Sequence, residues 1–124
     1  MEDPRLVLNR VVVVVLPRAP LVKWINDVGP AQAGVVTLED AREDPTSLLV
    51  PVRRDDLDER GQKWLRLNWR FVFEQTLHDW YVDEAMWPRS RTKKMFEEWI
   101  EVRMHSIVLD CSRLTLEYDE DDTN

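Results

Sequence analysis

The feature that most restricts how this chain can fold is a run of five valines at positions 11–15, preceded by three further apolar residues at 6–8. Valine branches at Cβ, which limits its χ1 rotamers in a helix and suits the pleated surface of a β-strand. Successive side chains of a strand point to opposite faces, so an unbroken apolar run predicts a strand that is covered on both faces and lies centrally in a sheet.

Apolar residues at helical spacing predict three main helices. The longest helix has one apolar stripe from Leu65 to Trp80. Gly61 lies within the predicted helix, before the stripe, and costs about 1 kcal/mol of helix stability relative to alanine. A short helical turn is predicted where Thr37 and Asp40 form a capping box with aspartate in place of glutamate. We also expect Lys–Glu pairs at i,i+4 on the last helix, Lys93–Glu97 and Lys94–Glu98. The predicted spans are 19–28, 37–43, 56–80 and 89–98.

Apolar residues at a spacing of two predict the remaining strands. Ile100, Val102 and Met104 alternate with polar residues, and a helix that continues to Arg103 is the alternative for this stretch. Pro51 places the end of another strand near a sheet edge or at a strand terminus, because proline cannot donate to the ladder. The predicted spans are 47–52, 100–110 and 113–118, the last a weak edge strand.

The order of these elements, β-α-β-α-α-β, predicts an α+β fold with a small three- to four-stranded mixed sheet and helices packed on it. The first β-α-β unit is expected to be a right-handed parallel crossover. A chain of 124 residues is long enough for one domain with its own core. We assign that domain to residues 1–118 and interpret 119–124 as a mobile acidic tail.

Composition limits the classes of function. With 44% hydrophobic and 33% charged residues the chain is typical of a globular protein. The net charge of −7 argues against general nucleic-acid binding and is compatible with a basic protein partner. The apolar run at 6–16 is too short to cross a membrane, and the single cysteine, Cys111, fits a reducing compartment. We therefore predict a cytoplasmic protein with no cofactor; its three glycines cannot build a glycine-rich phosphate loop.

Residues 80–110 contain the pattern W-x-x-D-E-x-x-W-P-x-x-R, followed by F-x-x-W and H-S-x-V, and residues 10–24 contain R-x-V-V-V-x-x-P-x-x-P-x-x-x-W. Together they resemble the signature of a family of small, uncharacterised bacterial proteins, over most of the chain. The resemblance implies a shared fold and no known chemistry. The chain departs from the family in its cations at 89–94 and its polar tail. The matching residues of the longer pattern are Trp80, Asp83, Glu84, Trp87, Pro88, Arg91, Phe96, Trp99, His105, Ser106 and Val108.

Two groups of polar residues are candidates for chemistry. Glu101, Arg103 and His105 would lie about 6–7 Å apart on one strand face, where a carboxylate beside a histidine suits general base catalysis. A polar strand face with a satisfied histidine is the structural alternative. Asp83 and Glu84 follow His78 and Asp79, but their spacing matches no metal-ligand motif, so we predict no metal site and favour a solvated helix end.

Arg91 and two tryptophans are candidates for binding. Cations in the first turn of a helix oppose its dipole, so we expect Arg91 to turn back and pair with Asp83 or Glu84, with an external anion as the alternative. Trp64 and Trp87 fit the core pattern less well than the other four tryptophans. If they are exposed, they are natural anchors for an interface.

These patterns are compatible with two functions. The first is a non-enzymatic interaction or regulatory module that binds a basic partner through an acidic surface. The alternative is a small enzyme or ligand-binding domain with one polar cleft around Asp83, Glu84, Arg91, Glu101 and His105. The patterns give no oligomeric state.

Overall fold

A computed structural model describes residues 3–30, 34–55 and 61–120 and confirms the predicted α+β class. The helices are α1 (Ala19–Val28), α2 (Leu38–Ala41), α3 (Gln62–Trp80) and α4 (Lys93–Trp99), with a 3₁₀ helix at Glu84–Met86 before α4. The strands are β1 (Arg5–Leu6), β2 (Arg10–Pro17), β3 (Thr46–Pro51), β4 (Ile100–His105) and β5 (Leu109–Asp110). Residues 56–60 of the predicted long helix and 121–124 of the predicted tail lie outside the described residues.

The valine strand β2 lies at the centre of a three-stranded sheet with the order β3-β2-β4, as predicted. Both neighbours run antiparallel to it, with Val13 opposite Leu48 on one side and Met104 on the other. The predicted parallel crossover and mixed sheet are therefore wrong. The connection after α1 stays at the end of β2, where Arg42 donates a 2.8 Å hydrogen bond to the carbonyl of Pro17. The chain consequently enters β3 at the end where β2 finished, which gives an antiparallel pair.

The predicted strand 100–110 is divided into β4 and β5, and the helical alternative for its first residues is wrong. β5 pairs with β1, so that Leu6 lies opposite Leu109 in a short antiparallel ladder. The amide of Val7 also donates a 2.8 Å hydrogen bond to the carbonyl of Val108. The predicted strand 113–118 does not form a ladder with any described residue, and every residue of 111–120 is exposed.

The helices pack on one face of the sheet. Val11, Val13 and Val15 are buried on that face against a core that includes Phe73 and Leu77 of α3. The opposite face is covered only in part, since Leu49 is 50% exposed and Val12 and Val14 are half-buried. The prediction that β2 is covered on both faces is therefore wrong for most of its length.

Three details of the helices differ from the prediction. α3 begins after Gly61, whose φ of 81° lies in the left-handed region, so this glycine is not part of the helix as predicted. α4 begins at Lys93 rather than 89, because the side chain of Thr92 caps it by accepting from the amide of Met95. The predicted Lys93–Glu97 and Lys94–Glu98 ion pairs are not formed among the described residues. Lysine N-terminal to glutamate is the weaker orientation of such pairs.

Candidate functional site

Glu101 and His105 share one face of β4, as predicted, but the carboxylate of Glu101 is engaged by two arginines. Its oxygens accept hydrogen bonds of 2.7 Å from Arg42 Nη2 and 2.8 Å from Arg103 Nε. These bonds, first that from Arg42, lower the pKa of Glu101 from 4.5 to about 2. A carboxylate with such a low pKa is a weak base and does not suit general base catalysis. Its hydrogen bond from Arg42 instead connects the end of α2 to β4. His105 is exposed, opposite Val12 of β2.

Asp83 and Glu84 lie in the connection between α3 and α4. The side chain of Asp83 accepts a 3.0 Å hydrogen bond from the amide of Ala85 and caps the 3₁₀ helix. Glu84 is exposed in the first turn of that helix, and His78 is exposed on α3. The described parts of the chain contain no group of three or more His, Cys, Asp or Glu side chains that could hold a metal ion.

Arg91 does not pair with Asp83 or Glu84, so that prediction is wrong. Its Nη2 lies 2.9 Å from Oε2 of Glu74 on α3, and its Nη1 donates a 2.7 Å hydrogen bond to the carbonyl of Pro88. The connection between α3 and α4 therefore packs against the side of α3, where Arg91 contacts the carboxylate of Glu74, a residue distant in sequence. The Arg91 contacts are internal, which removes the reason to invoke an external anion here.

The two predicted anchor tryptophans have different environments. Trp87 is only 9% exposed, and its indole N–H donates a 2.7 Å hydrogen bond to the carbonyl of Tyr81. It belongs to the core and cannot anchor an interface. Trp64 is half-buried and lines a shallow groove of about 290 Å³ with Val52 and Leu67.

Neither group of polar candidates lines an apolar opening beside β4, which sequence reasoning missed. We call this opening the β4 cleft; it has a volume of about 430 Å³. Its walls come from α3, α4 and β4, and its apolar floor consists of Leu65, Trp69, Phe96, Ile100, Val102 and Met104. Its rim consists of Arg18, Gln62, Arg66, Lys93 and Glu97.

The β4 cleft opens because β4 is an edge strand. On one side β4 pairs with β2, and among the described residues no strand pairs with its other side. No described residue of β2 lines the cleft, so the opening lies under the edge strand β4, on the face of the sheet that α3 and α4 cover. The side chains of Ile100, Val102 and Met104 point from β4 into this space at every second position, as a strand requires.

The rim of the β4 cleft has an excess of positive charge. Among the described residues that line it, three side chains are cationic, those of Arg18, Arg66 and Lys93, and one is anionic, that of Glu97. Lys93 and Arg18 form no side-chain ion pair with any described residue. A cationic rim is unusual on a chain whose net charge is −7, and it favours a ligand that carries negative charge.

A second cleft, of about 560 Å³, is lined by Trp24, Trp87 and Trp99 together with Pro20 and Pro88. The indole N–H of Trp24 donates to the carbonyl of Met86 at 3.0 Å, and that of Trp87 donates to Tyr81. Because both donors are used within the fold, neither can bind a ligand carbonyl. Lys23, Asp27 and Arg89 also line this cleft.

Comparison of the chain with models of protein families, with curated proteins and with solved structures found no match. The resemblance to the small bacterial proteins stays a prediction. Within the described ranges, no helix has the length and apolar character needed to cross a membrane.

Proposed function

We propose that this protein is a non-enzymatic interaction module that binds an extended peptide segment along the outer edge of β4. The observation that carries the proposal is the β4 cleft itself, an apolar groove with a cationic rim beside a strand edge that no described strand occupies. An unpaired edge offers backbone donors and acceptors to a further strand. Binding by strand addition takes its affinity from these main-chain hydrogen bonds and its specificity from pockets for alternate side chains.

The geometry of an added strand explains why the ligand should be both apolar and extended. A strand beside β4 lies about 4.8 Å from it, and every second side chain then points to the same face as Ile100, Val102 and Met104. Apolar side chains at those positions enter the cleft and cover its floor. A helix would not match this spacing, since its side chains recur at three and four residues.

The charge of the rim identifies the polar part of the ligand. Lys93 and Arg18 favour carboxylates on the bound segment or at its ends, so the partner of this site carries acidic residues. The basic partner expected from the net charge would bind elsewhere on the acidic surface. The alternative of a polar catalytic cleft has less support, because Glu101 and Arg91 are engaged in internal ion pairs.

The proposal includes a cytoplasmic location and membership of the small bacterial family. The location rests on the exposed thiol of Cys111, the only cysteine of the chain, which suits a reducing compartment. The family rests on the tryptophan and proline pattern alone.

Selection of binders from a random nonapeptide display library tests the proposal. We expect the selected peptides to alternate apolar residues with polar ones and to be rich in Asp and Glu. Lys93→Glu should weaken their binding at least tenfold, whereas Lys94→Glu should leave it unchanged, because Lys94 is exposed on the same helix and does not line the cleft. The proposal is wrong if the selected peptides lack this pattern or bind both variants equally. The fatty acid dodecanoate, which is apolar with one carboxylate, serves as a non-peptide probe. The proposal is also wrong if dodecanoate binds the cleft and no peptide does.

A further inference from the structure

The segment 113–120 has the sequence pattern of a strand but no ladder to join among the described residues. Leu114, Leu116 and Tyr118 recur at every second position and are 83%, 62% and 73% exposed. A row of three large apolar side chains in water is unfavourable, since burying each would stabilise the molecule. These three apolar side chains therefore have the spacing of a strand and no strand partner among the described residues.

The segment leaves the body of the protein at a fixed place. Arg5 of β1 donates a 2.9 Å hydrogen bond to the carbonyl of Ser112, and the amide of Ser112 donates a 3.0 Å bond to Oδ1 of Asp110. This anchor lies beyond β5, at the end of the sheet that is far from Ile100. Every residue of the segment beyond the anchor is exposed.

The segment matches the floor of the β4 cleft in side-chain pattern, and in charge it matches the opposite face of β4. Its three apolar residues repeat at the same interval as Ile100, Val102 and Met104 on the floor of the cleft. In a parallel alignment with Leu116 beside Val102, Glu117 lies beside Arg103 and Asp119 beside His105, whereas the antiparallel alignment puts Glu117 beside Glu101. Opposite charges on neighbouring strands stabilise a sheet, so the parallel direction is favoured.

The same molecule cannot place this segment in its own cleft. A tight two-residue turn at Cys111 and Ser112 would pair Asp110 with Arg113. Residues 106–108 lie in no strand, and even a returning strand that kept this register across them would move back only one residue for each further step. Tyr118 would then lie opposite His105, and the apolar residues would not reach Ile100 or Val102. A longer turn moves them further away, and the favoured parallel direction requires a crossover of a dozen or more residues.

We infer that the β4 cleft binds the segment 113–120 of a second copy of this chain, so that two molecules exchange these segments in a symmetric dimer. The inference rests on the proposed function of the cleft and names its partner. The exchange is reciprocal, since each molecule supplies one segment and one cleft, which is the usual arrangement of a two-fold dimer. It covers both the exposed apolar row and the open edge of β4.

Sedimentation equilibrium of the full chain tests the exchange. We expect a monomer–dimer equilibrium whose dissociation constant rises at least tenfold in Leu116→Asp and in Lys93→Glu. The control Val35→Asp should behave as the wild type, because Val35 is 81% exposed and lies in neither the segment nor the cleft. An equimolar mixture of Leu116→Asp and Lys93→Glu should form heterodimers more readily than either variant forms homodimers, because one intact cleft then meets one intact segment. A wild type that stays monomeric, or a dimer insensitive to Leu116→Asp, overturns the inference.

A synthetic peptide of residues 112–120, SRLTLEYDE, separates failure of this inference from failure of the proposed function. We expect it to bind the monomeric Leu116→Asp chain and to bind Lys93→Glu at least tenfold more weakly. If it does not bind while other acidic and apolar nonapeptides do, the cleft keeps its function and the second copy is the wrong partner. If none of these peptides binds, both the proposed function and the inference are wrong.

Discussion

Arg91 and Glu74 form an ion pair of 2.9 Å between residues that are seventeen positions apart. The guanidinium carbon of Arg91 also lies 5.5 Å from the centre of the Trp87 ring, in a cation–π contact. The pair therefore holds the connection before α4 against the side of α3, and α4 is in turn one wall of the β4 cleft. Arg91 in this way helps to position α4, which is part of the candidate binding site.

Replacing Arg91 should destabilise the fold. The side chains of Arg91 and Glu74 are 20% and 33% exposed, and hydrogen bonds to charged groups contribute about 1.5–3 kcal/mol when they are sheltered. We expect Arg91→Ala to lower the free energy of unfolding by about 1–3 kcal/mol, and Arg91→Lys to lose more than half as much, since lysine cannot make the same paired contacts. Urea denaturation would measure both. Double-mutant cycles of Arg91→Ala should give a coupling energy of about 1 kcal/mol with Glu74→Ala and none with Glu84→Ala. A coupling energy with Glu84→Ala and none with Glu74→Ala would contradict the pairing.

The pKa of Glu101 makes part of the stability depend on pH. The folded pKa, about 2, lies below the ordinary 4.5, so the ionised carboxylate stabilises the folded state above pH 4.5 and this contribution is lost as the pH falls towards 2. We expect Glu101→Gln to flatten the dependence of stability on pH in this window. A carboxyl NMR titration should give a midpoint near 2 for Glu101 and a higher one in Arg42→Ala. A midpoint of 4.5 in the wild type would show that the arginines do not hold the carboxylate in solution.

Two phenylalanines of α3 provide a matched test of the core. Phe73 is fully buried, whereas Phe71 is 54% exposed on the same helix. Phe73→Ala should cost about 3–5 kcal/mol of unfolding free energy, because it removes ring contacts with Phe96 and Trp99 and leaves a cavity. Phe71→Ala should change stability by less than about 0.5 kcal/mol. Equal effects in chemical denaturation would mean that α3 is rotated relative to this description.

The two glycines with positive φ separate backbone strain from close packing. Gly61 and Gly34 have φ values of 81° and 83°, but a Cβ at Gly61 would lie 2.9 Å from Val11 Cγ2, whereas one at Gly34 would meet nothing within 4 Å. Gly34→Ala should cost about 1 kcal/mol from its backbone conformation, and Gly61→Ala about 1 kcal/mol or more beyond that from overpacking against the core. Thermal unfolding of the two variants would measure the difference, and a smaller loss at Gly61 would contradict the packing of α3 on β2.

Local patterns predict the elements of this fold better than their arrangement. The valine run identifies β2 as the central strand, and the alternation of Ile100, Val102 and Met104 identifies β4, because side-chain shape and period act within a few residues. The direction of β3 depends on where the connection after α1 runs, and the contact of Arg42 with Pro17 at the end of β2 joins residues twenty-five positions apart, which no local pattern contains.

The candidate site is predictable only in its parts. Trp69 lies within the predicted apolar stripe of the long helix, and it packs against the core together with Phe96 of α4. That they also line an opening follows from β4 being an edge strand, which depends on how many strands the sheet has. The spacing of the polar candidates indicates one contact of Glu101, that with Arg103 on the same strand face, but not its hydrogen bond from Arg42, which is fifty-nine positions away.

Amide hydrogen exchange on β4 would decide whether the cleft binds a strand. With the tightest nonapeptide from the display library at saturation, we expect exchange at alternate amides within Ile100–His105 to slow at least tenfold, because an added strand bonds only the groups that point away from β2. Exchange in the β1–β5 ladder should not change. Unaltered exchange along β4 in the presence of a bound peptide would contradict strand addition at this edge.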